Sequence, residues 1–302
     1  GKPMETIGNI LIKIDEVLEK EKPDAFLVLG DTNSCLCAIA AKKRNVTVFH
    51  MEGGNRCFDA RVPEELNRKI VDHISDINMP YSDIARENLL AEGYPAKNII
   101  KTGSPMFEVL QMKKQDIEKS DVVERLGLQK NKYFVVSAHR EENISDIESF
   151  LDLMSSLNAV AETYKLPVIF AAHPRTKKMI DAEQLEINPL IQIMKPLGFN
   201  DYVKLQKDSR VVLSDSGTIS EESSILGFKA LNIRYSHERP EAMEEGAVMM
   251  VGLKKDKILQ ALSILEQETV DNRRLVGDYS MPNVSDKVLK ILLSYYNYSV
   301  TS

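Results

Sequence analysis

Residues 211–226 read Val-Val-Leu-Ser-Asp-Ser-Gly-Thr-Ile-Ser-Glu-Glu-Ser-Ser-Ile-Leu. Val211–Ser214 is an apolar, β-branched run of strand length, and Ile219–Leu226 is long enough for a short helix. Between them lies the small turn Asp215-Ser216-Gly217-Thr218. A strand that passes through a tight glycine turn into a helix is the repeating unit of a parallel α/β sheet. The free N–H groups and dipole of such a helix start suit a phosphate oxygen. The turn is weakly specific alone, because many strand-to-helix loops look like it.

The same alternation continues in both directions. Upstream, strand-like runs at Ala25–Gly30, Val46–Phe49, Ile77–Pro80 and Ile99–Gly103 are separated by helix-like segments at Cys35–Arg44, Glu64–Ile74 and Asp83–Glu92. A charged connector, Lys113–Glu124, leads into Tyr133–Ala138, the helix Ile144–Tyr164, Pro167–Ala172, a helix near Lys177, and Ile191–Met194. Downstream come Ala230–Ile233, Val248–Val251 and two helices around Lys255–Glu268 and Ser285–Tyr296. The pattern predicts an α/β protein of two Rossmann-like domains facing a cleft, residues 1–112 and 113–302. The first is expected to be N-terminally incomplete: it opens on a helical pattern, Glu5–Lys20, where a doubly wound domain has its central strand. Ala25–Gly30 would then show an uncovered edge.

Composition narrows the function classes. The chain has 302 residues, 43% hydrophobic and 28% charged, with a formal charge of −6. That balance argues against a general nucleic-acid binder but allows an anionic small molecule held by a few arginines. No apolar run approaches the ~20 residues that span a bilayer, and no secretion signal is visible, so the cytoplasm is the expected location. Cys35, Cys37 and Cys57 have no metal-type spacing. No Gly-x-Gly-x-x-Gly turn appears either, so neither metal nor nicotinamide cofactor is expected.

Open α/β sheets bind ligands at strand C-terminal ends. Those ends carry Gly30-Asp31-Thr32, His50-Met51-Glu52-Gly53-Gly54, Ser104-Pro105, Ala138-His139-Arg140, Ala172-His173-Pro174-Arg175 and the Asp215–Thr218 turn. Each has a plainer reading. Asp31 or Ser34 serves equally as a helix cap. Glu222 is also an ordinary first-turn acid, and Arg234 and Arg239 read as well as surface ion pairs. Pro63-Glu64-Glu65 is good helix-start grammar, and Glu64 and Arg68 are spaced to pair along one face.

Taken as an ordered set, the motifs resemble those of the non-hydrolysing UDP-N-acetylglucosamine 2-epimerases. The set is Gly-Asp-Thr at 30–32, His-Met-Glu-Gly-Gly at 50–54, Pro-Glu-Glu-Leu-Asn-Arg at 63–68, Thr-Gly-Ser-Pro at 102–105, Ala-His-Arg-Glu-Glu-Asn at 138–143, His-Pro-Arg at 173–175, Asp-Ser-Gly-Thr-Ile-Ser-Glu-Glu at 215–222 and Glu-Arg-Pro-Glu at 238–241. The string Asn55-Arg56-Cys57-Phe58-Asp59 is similar to the branch that converts UDP-2-acetamido-2,6-dideoxy-L-talose into UDP-N-acetyl-L-fucosamine for capsule or O-antigen synthesis.

The resemblance implies a glycosyltransferase-like (GT-B) two-domain fold, a last helix returning to the first domain, a UDP-sugar substrate, no cofactor, and a homodimer. It implies Asp31, Glu52, Glu64 and His139 as the catalytic set, and Arg68, His173, Ser216, Gly217, Glu222 and Arg239 as substrate or UDP contacts. The family's N-terminal strand and its Gly-Thr-Arg-Pro-Glu loop have no counterpart here, which puts the activity of the chain as given in question. A UDP-GlcNAc/UDP-ManNAc 2-epimerase, a glycosyltransferase of the same architecture and a non-catalytic UDP-sugar binder are the competing readings.

Overall fold

The computed structural model describes residues 3–140, 143, 146–172, 174–268 and 274–297. The chain divides into two compact units, Gly1–Glu108 with Gly277–Ser302, and Val109–Val276. The division cuts the helix Met106–Glu118. That helix occupies half of the segment read from sequence as a charged connector. Its Leu110 and Ile117 are buried, and the charges between them face solvent.

The first unit is built on a three-stranded parallel sheet in the order β1-β2-β3, with β1 Ala25–Leu29, β2 Thr47–Met51 and β3 Ile77–Met79. The central strand is buried throughout, so its side chains alternate between two apolar layers. Val48 packs with Leu18, Ala38, Ala41 and Val71 from the helices Pro3–Glu21, Cys37–Lys43 and Pro63–Ile74. Phe49 and Met51 pack on the opposite face with Ile77, Met79 and the C-terminal helix Val284–Tyr295, which contributes Val284 and Val288. β1 is an edge strand, and its Leu27 and Leu29 are 44% and 59% exposed. The fourth strand expected at Ile99–Gly103 is reduced to a single bridge between Asn78 and Ile99.

The second unit carries a six-stranded, wholly parallel sheet in the order β6-β5-β4-β7-β8-β9. Its strands are β4 Phe134–Ser137, β5 Val168–Ala171, β6 Ile191–Met194, β7 Val211–Ser214, β8 Ala230–Asn232 and β9 Val248–Met250. The strand order reverses between β4 and β7, where a doubly wound sheet opens its binding crevice. Its core runs from Phe134, Phe170 and Leu213 on the strands to Phe150, Leu157, Ile258 and Leu262 on the helices Ile147–Tyr164 and Lys255–Gln267. Among the described residues no helix is long and apolar enough to cross a membrane.

Candidate active site

In the first unit the ends of β1 and β2 meet. Gly30 turns out of β1 with a φ of +78°, and a Cβ there would sit 3.8 Å from the Glu52 carboxylate. Asp31 follows immediately. Its carboxylate accepts from Arg68 Nε at 2.8 Å rather than capping the next helix. Arg68 is buried and also donates to Glu65 at 2.7 Å, three residues earlier on its own helix. The pairing of Arg68 with Glu64 expected from spacing is therefore replaced by Asp31 and Glu65. The Glu64 side chain stays half-buried and makes no hydrogen bond or ion pair among the described residues.

Glu65 does the structural work that the sequence left open between two adjacent acids. It accepts the N–H groups of Cys57 and Phe58 at 3.1 Å each, which pins the loop after Glu52. Burial works against its charge, but those bonds and Arg68 outweigh it and hold its carboxyl below the usual range.

Glu52 has a left-handed backbone, φ +69°, and accepts from Asn55 Nδ2 at 3.2 Å. The two glycines after it are obligatory. A Cβ on Gly53 would lie 2.8 Å from Asn78 Oδ1, and one on Gly54 would strike the Ala85 carbonyl. Beneath these turns runs a buried ionic chain absent from the sequence reading. His50 meets Asp72 through Nδ1 at 2.8 Å, Asp72 accepts from Arg56 at 2.7 Å, and Arg56 grips Glu92 with two bonds of 2.7 Å. The Arg56 fork drives Glu92 down to about 2.

In the second unit Asp215, fully buried at the end of β7, ties the two strands of the switch point together. Its carboxylate accepts the N–H groups of His139 and Arg140 at 3.0 Å and Asn143 Nδ2 at 3.0 Å. His139 Nδ1 lies 3.2 Å from the same carboxylate, with more than half of the side chain exposed. Ser216 Oγ meets Thr218 Oγ1 at 2.9 Å, so the turn before the helix Ile219–Leu226 is stiffened by its own hydroxyls.

A Cβ on Gly217 would lie 2.6 Å from Glu238 Oε1. Glu238 in turn holds Arg234 at 2.9 Å and Arg140 at 3.4 Å, while Arg239 pairs with Glu221. Arg234 and Arg239 are buried, not surface ion pairs. Glu222 is also buried rather than an exposed first-turn acid. It accepts from Gln206 at 2.7 Å, and burial raises its carboxyl despite that bond and one from Thr218. Three guanidiniums gathered beside a helix start are suited to an anionic ligand. His173 lies outside the described residues.

A family model described as UDP-N-acetylglucosamine 2-epimerase matches residues 1–293. The structure of UDP-N-acetylglucosamine 2-epimerase from Rickettsia bellii is similar with a TM-score of 0.92 at 49% identity, covering 99% of this chain and 81% of that one. The UDP-GlcNAc 2-epimerase of Methanocaldococcus jannaschii, solved in complex with UDP-GlcNAc and UDP, gives 0.90 at 33% identity, covering 97% of this chain and 82% of that one. A Pseudomonas aeruginosa UDP-2,3-diacetamido-2,3-dideoxy-D-glucuronate 2-epimerase is 33% identical over 275 residues, 89% of this chain and 75% of the relative.

Proposed function

The chain belongs to the UDP-N-acetylglucosamine 2-epimerase family, and on that premise we propose that it inverts C2 of a UDP-activated 2-acetamido sugar. The observation that carries the reading is the placement of Asp31 and Glu52 on the turns that leave the paired strands β1 and β2, with Arg68 fixing the first carboxylate.

The C2–H bond is not adjacent to a carbonyl, so direct deprotonation is prohibitive. In the proposed route a carboxylate takes the C2 proton as the C1–O bond to the diphosphate breaks. The C–H electron pair becomes the C1=C2 double bond, and the C1–O pair leaves with UDP. A 2-acetamidoglycal and UDP result. UDP then adds back to C1 while C2 is protonated on the opposite face. The sequence is redox-neutral.

Asp31, Glu52 and Glu64 are assigned to the proton steps. His139, oriented by Asp215, and the Ser216-Gly217 turn with Arg239 are assigned to the departing diphosphate. Arg68, His173 and Glu222 complete the substrate contacts.

For the sugar, we propose UDP-2-acetamido-2,6-dideoxy-L-talose, giving UDP-N-acetyl-L-fucosamine for capsule or O-antigen synthesis in the cytoplasm, by a homodimer. Support comes from the loop after Glu52. Phe58 is 78% exposed and held at φ +55° by its N–H bond to Glu65. An exposed apolar ring on this loop would suit a 6-methyl group better than a hydroxymethyl. Incubation of the protein in D2O with this sugar nucleotide, and separately with UDP-GlcNAc, tests the reading. Deuterium at C2 of the 6-deoxy sugar with faster turnover than UDP-GlcNAc is expected. Faster exchange of UDP-GlcNAc overturns the choice of sugar, and exchange of neither overturns the epimerase reading.

A further inference from the structure

His50 is fully buried beneath the turns that carry Asp31 and Glu52, and both of its ring nitrogens face acceptors. Nε2 lies 3.0 Å from the Gly30 carbonyl, which cannot donate. Nδ1 lies 2.8 Å from Asp72 Oδ1. Asp72 is itself an acceptor on its other oxygen, receiving the Gly54 N–H at 3.1 Å and Arg56 Nη1 at 2.7 Å. A neutral imidazole has one N–H, so either tautomer would press a lone pair against an oxygen at one of these two contacts. Opposite a carboxylate at Asp72, which Arg56 already pairs as a cation, only the doubly protonated ring satisfies both.

We propose that His50 is a charged positioning residue, an imidazolium that clamps the Gly30 turn beneath Asp31 and Glu52. The proposal rests on the reading that Asp31 and Glu52 act at C2.

The surroundings agree. Burial alone would lower the His50 pKa; the Asp72 bond and charge, the Gly30 carbonyl and Glu52 reverse this and raise it. The other groups around this ring and its counter-ion have been placed by the fold to leave the charge undisturbed. Arg56 lies on the far side of Asp72, the Cys35 thiol is pushed up to about 12 and stays neutral, and Asn78 is the register neighbour on β3. The clamp is also local to the chemistry: the Gly30 carbonyl precedes Asp31 directly, and Gly30 N–H donates to the Met51 carbonyl next to Glu52 at 3.3 Å.

Nitrogen-15 NMR of histidine-labelled wild-type protein at about pH 8, well above the ~6.5 of a free histidine, should show both His50 nitrogens protonated. One unprotonated nitrogen overturns the proposal. In His50→Gln, turnover should fall roughly ten- to a hundredfold, as expected when reacting groups are misplaced, with KM little changed. Unchanged turnover in a folded variant reduces His50 to a packing role. Should that variant not fold, Asp72→Asn is read instead: His50 should lose a proton at about pH 8 and turnover should drop with it, whereas unchanged turnover overturns the proposal. If wild-type protein exchanges nothing at C2, the proposed function fails, while the NMR result still decides the charge on His50.

Discussion

The two units solve the same problem, fixing polar groups at strand ends, by different means. In the second unit the sheet topology does most of it. The order reversal between β4 and β7 opens the crevice, and Asp215 mainly gathers backbone N–H groups that the strands already deliver. In the first unit the three-stranded sheet offers no such reversal. There Asp31 is held by Arg68 with Glu65, and the turns around Glu52 by His50, Asp72 and Arg56. A site held by topology should tolerate loss of one polar group better than a site held by a buried ionic chain.

The sharpest way to break that comparison is to remove one carboxylate from each unit. Asp72→Ala removes the buried acceptor shared by His50, Arg56 and the Gly54 N–H, and should cost about 3–5 kcal/mol of stability. Asp215→Asn keeps an acceptor oxygen for its N–H donors and should cost only about 1–2 kcal/mol. Urea unfolding followed by hydrogen exchange in each unit measures both. Equal losses would erase the distinction.

Next in size is Glu64→Gln. Its carboxyl makes no hydrogen bond or ion pair among the described residues, so turnover should fall about a hundredfold or more while stability shifts by ~1 kcal/mol or less. Steady-state kinetics and a melting curve separate the two effects. Near-normal turnover would return Glu64 to a helix-start acid.

Gly217→Ala probes the second unit more gently. Its new methyl group displaces Glu238 from Arg234 and Arg140, and UDP binding should weaken about tenfold, ~1.4 kcal/mol, by calorimetric titration. Unchanged affinity would remove the turn from the UDP site.

The smallest effect is in pH. The raised His50 pKa contributes stability that is complete below its unfolded value and lost as pH rises through the folded value. His237, lowered chiefly by burial, does the reverse in the second unit: stability is lost as pH falls below ~6.5. Hydrogen exchange against pH should therefore loosen the first unit on the alkaline side and the second on the acid side. The same trend in both units would contradict these signs.

What was legible in the sequence follows the same division. Strands of the second unit are visible because buried parallel strands are short apolar runs between turns, and their order brings the quoted motifs to one end. Ile99–Gly103 has the same look but finds only one bridge, because its chain is carried off at Thr102 and Ser104 by bonds to Pro80 and Asp278. The helix at Met106–Glu118 was hidden by its charges, since only Leu110 and Ile117 reach the core. Asp31 and Glu52 stood out as acids at strand ends. The partnership of His50 with Asp72 did not, because the two are 22 residues apart on different elements. Nor can two adjacent acids on a helix start declare which turns inward; the fold gives that role to Glu65.

The central claim is that these carboxylates move the C2 proton of a UDP sugar. Its most direct test is mass and NMR analysis of the sugar nucleotide after incubation in D2O with wild-type protein and with Glu52→Gln. Wild-type protein should place one deuterium at C2 of both epimers, and the variant should bind the substrate yet exchange at least about a hundredfold more slowly. Equal exchange by the two proteins, or epimerisation without deuterium at C2, would contradict it.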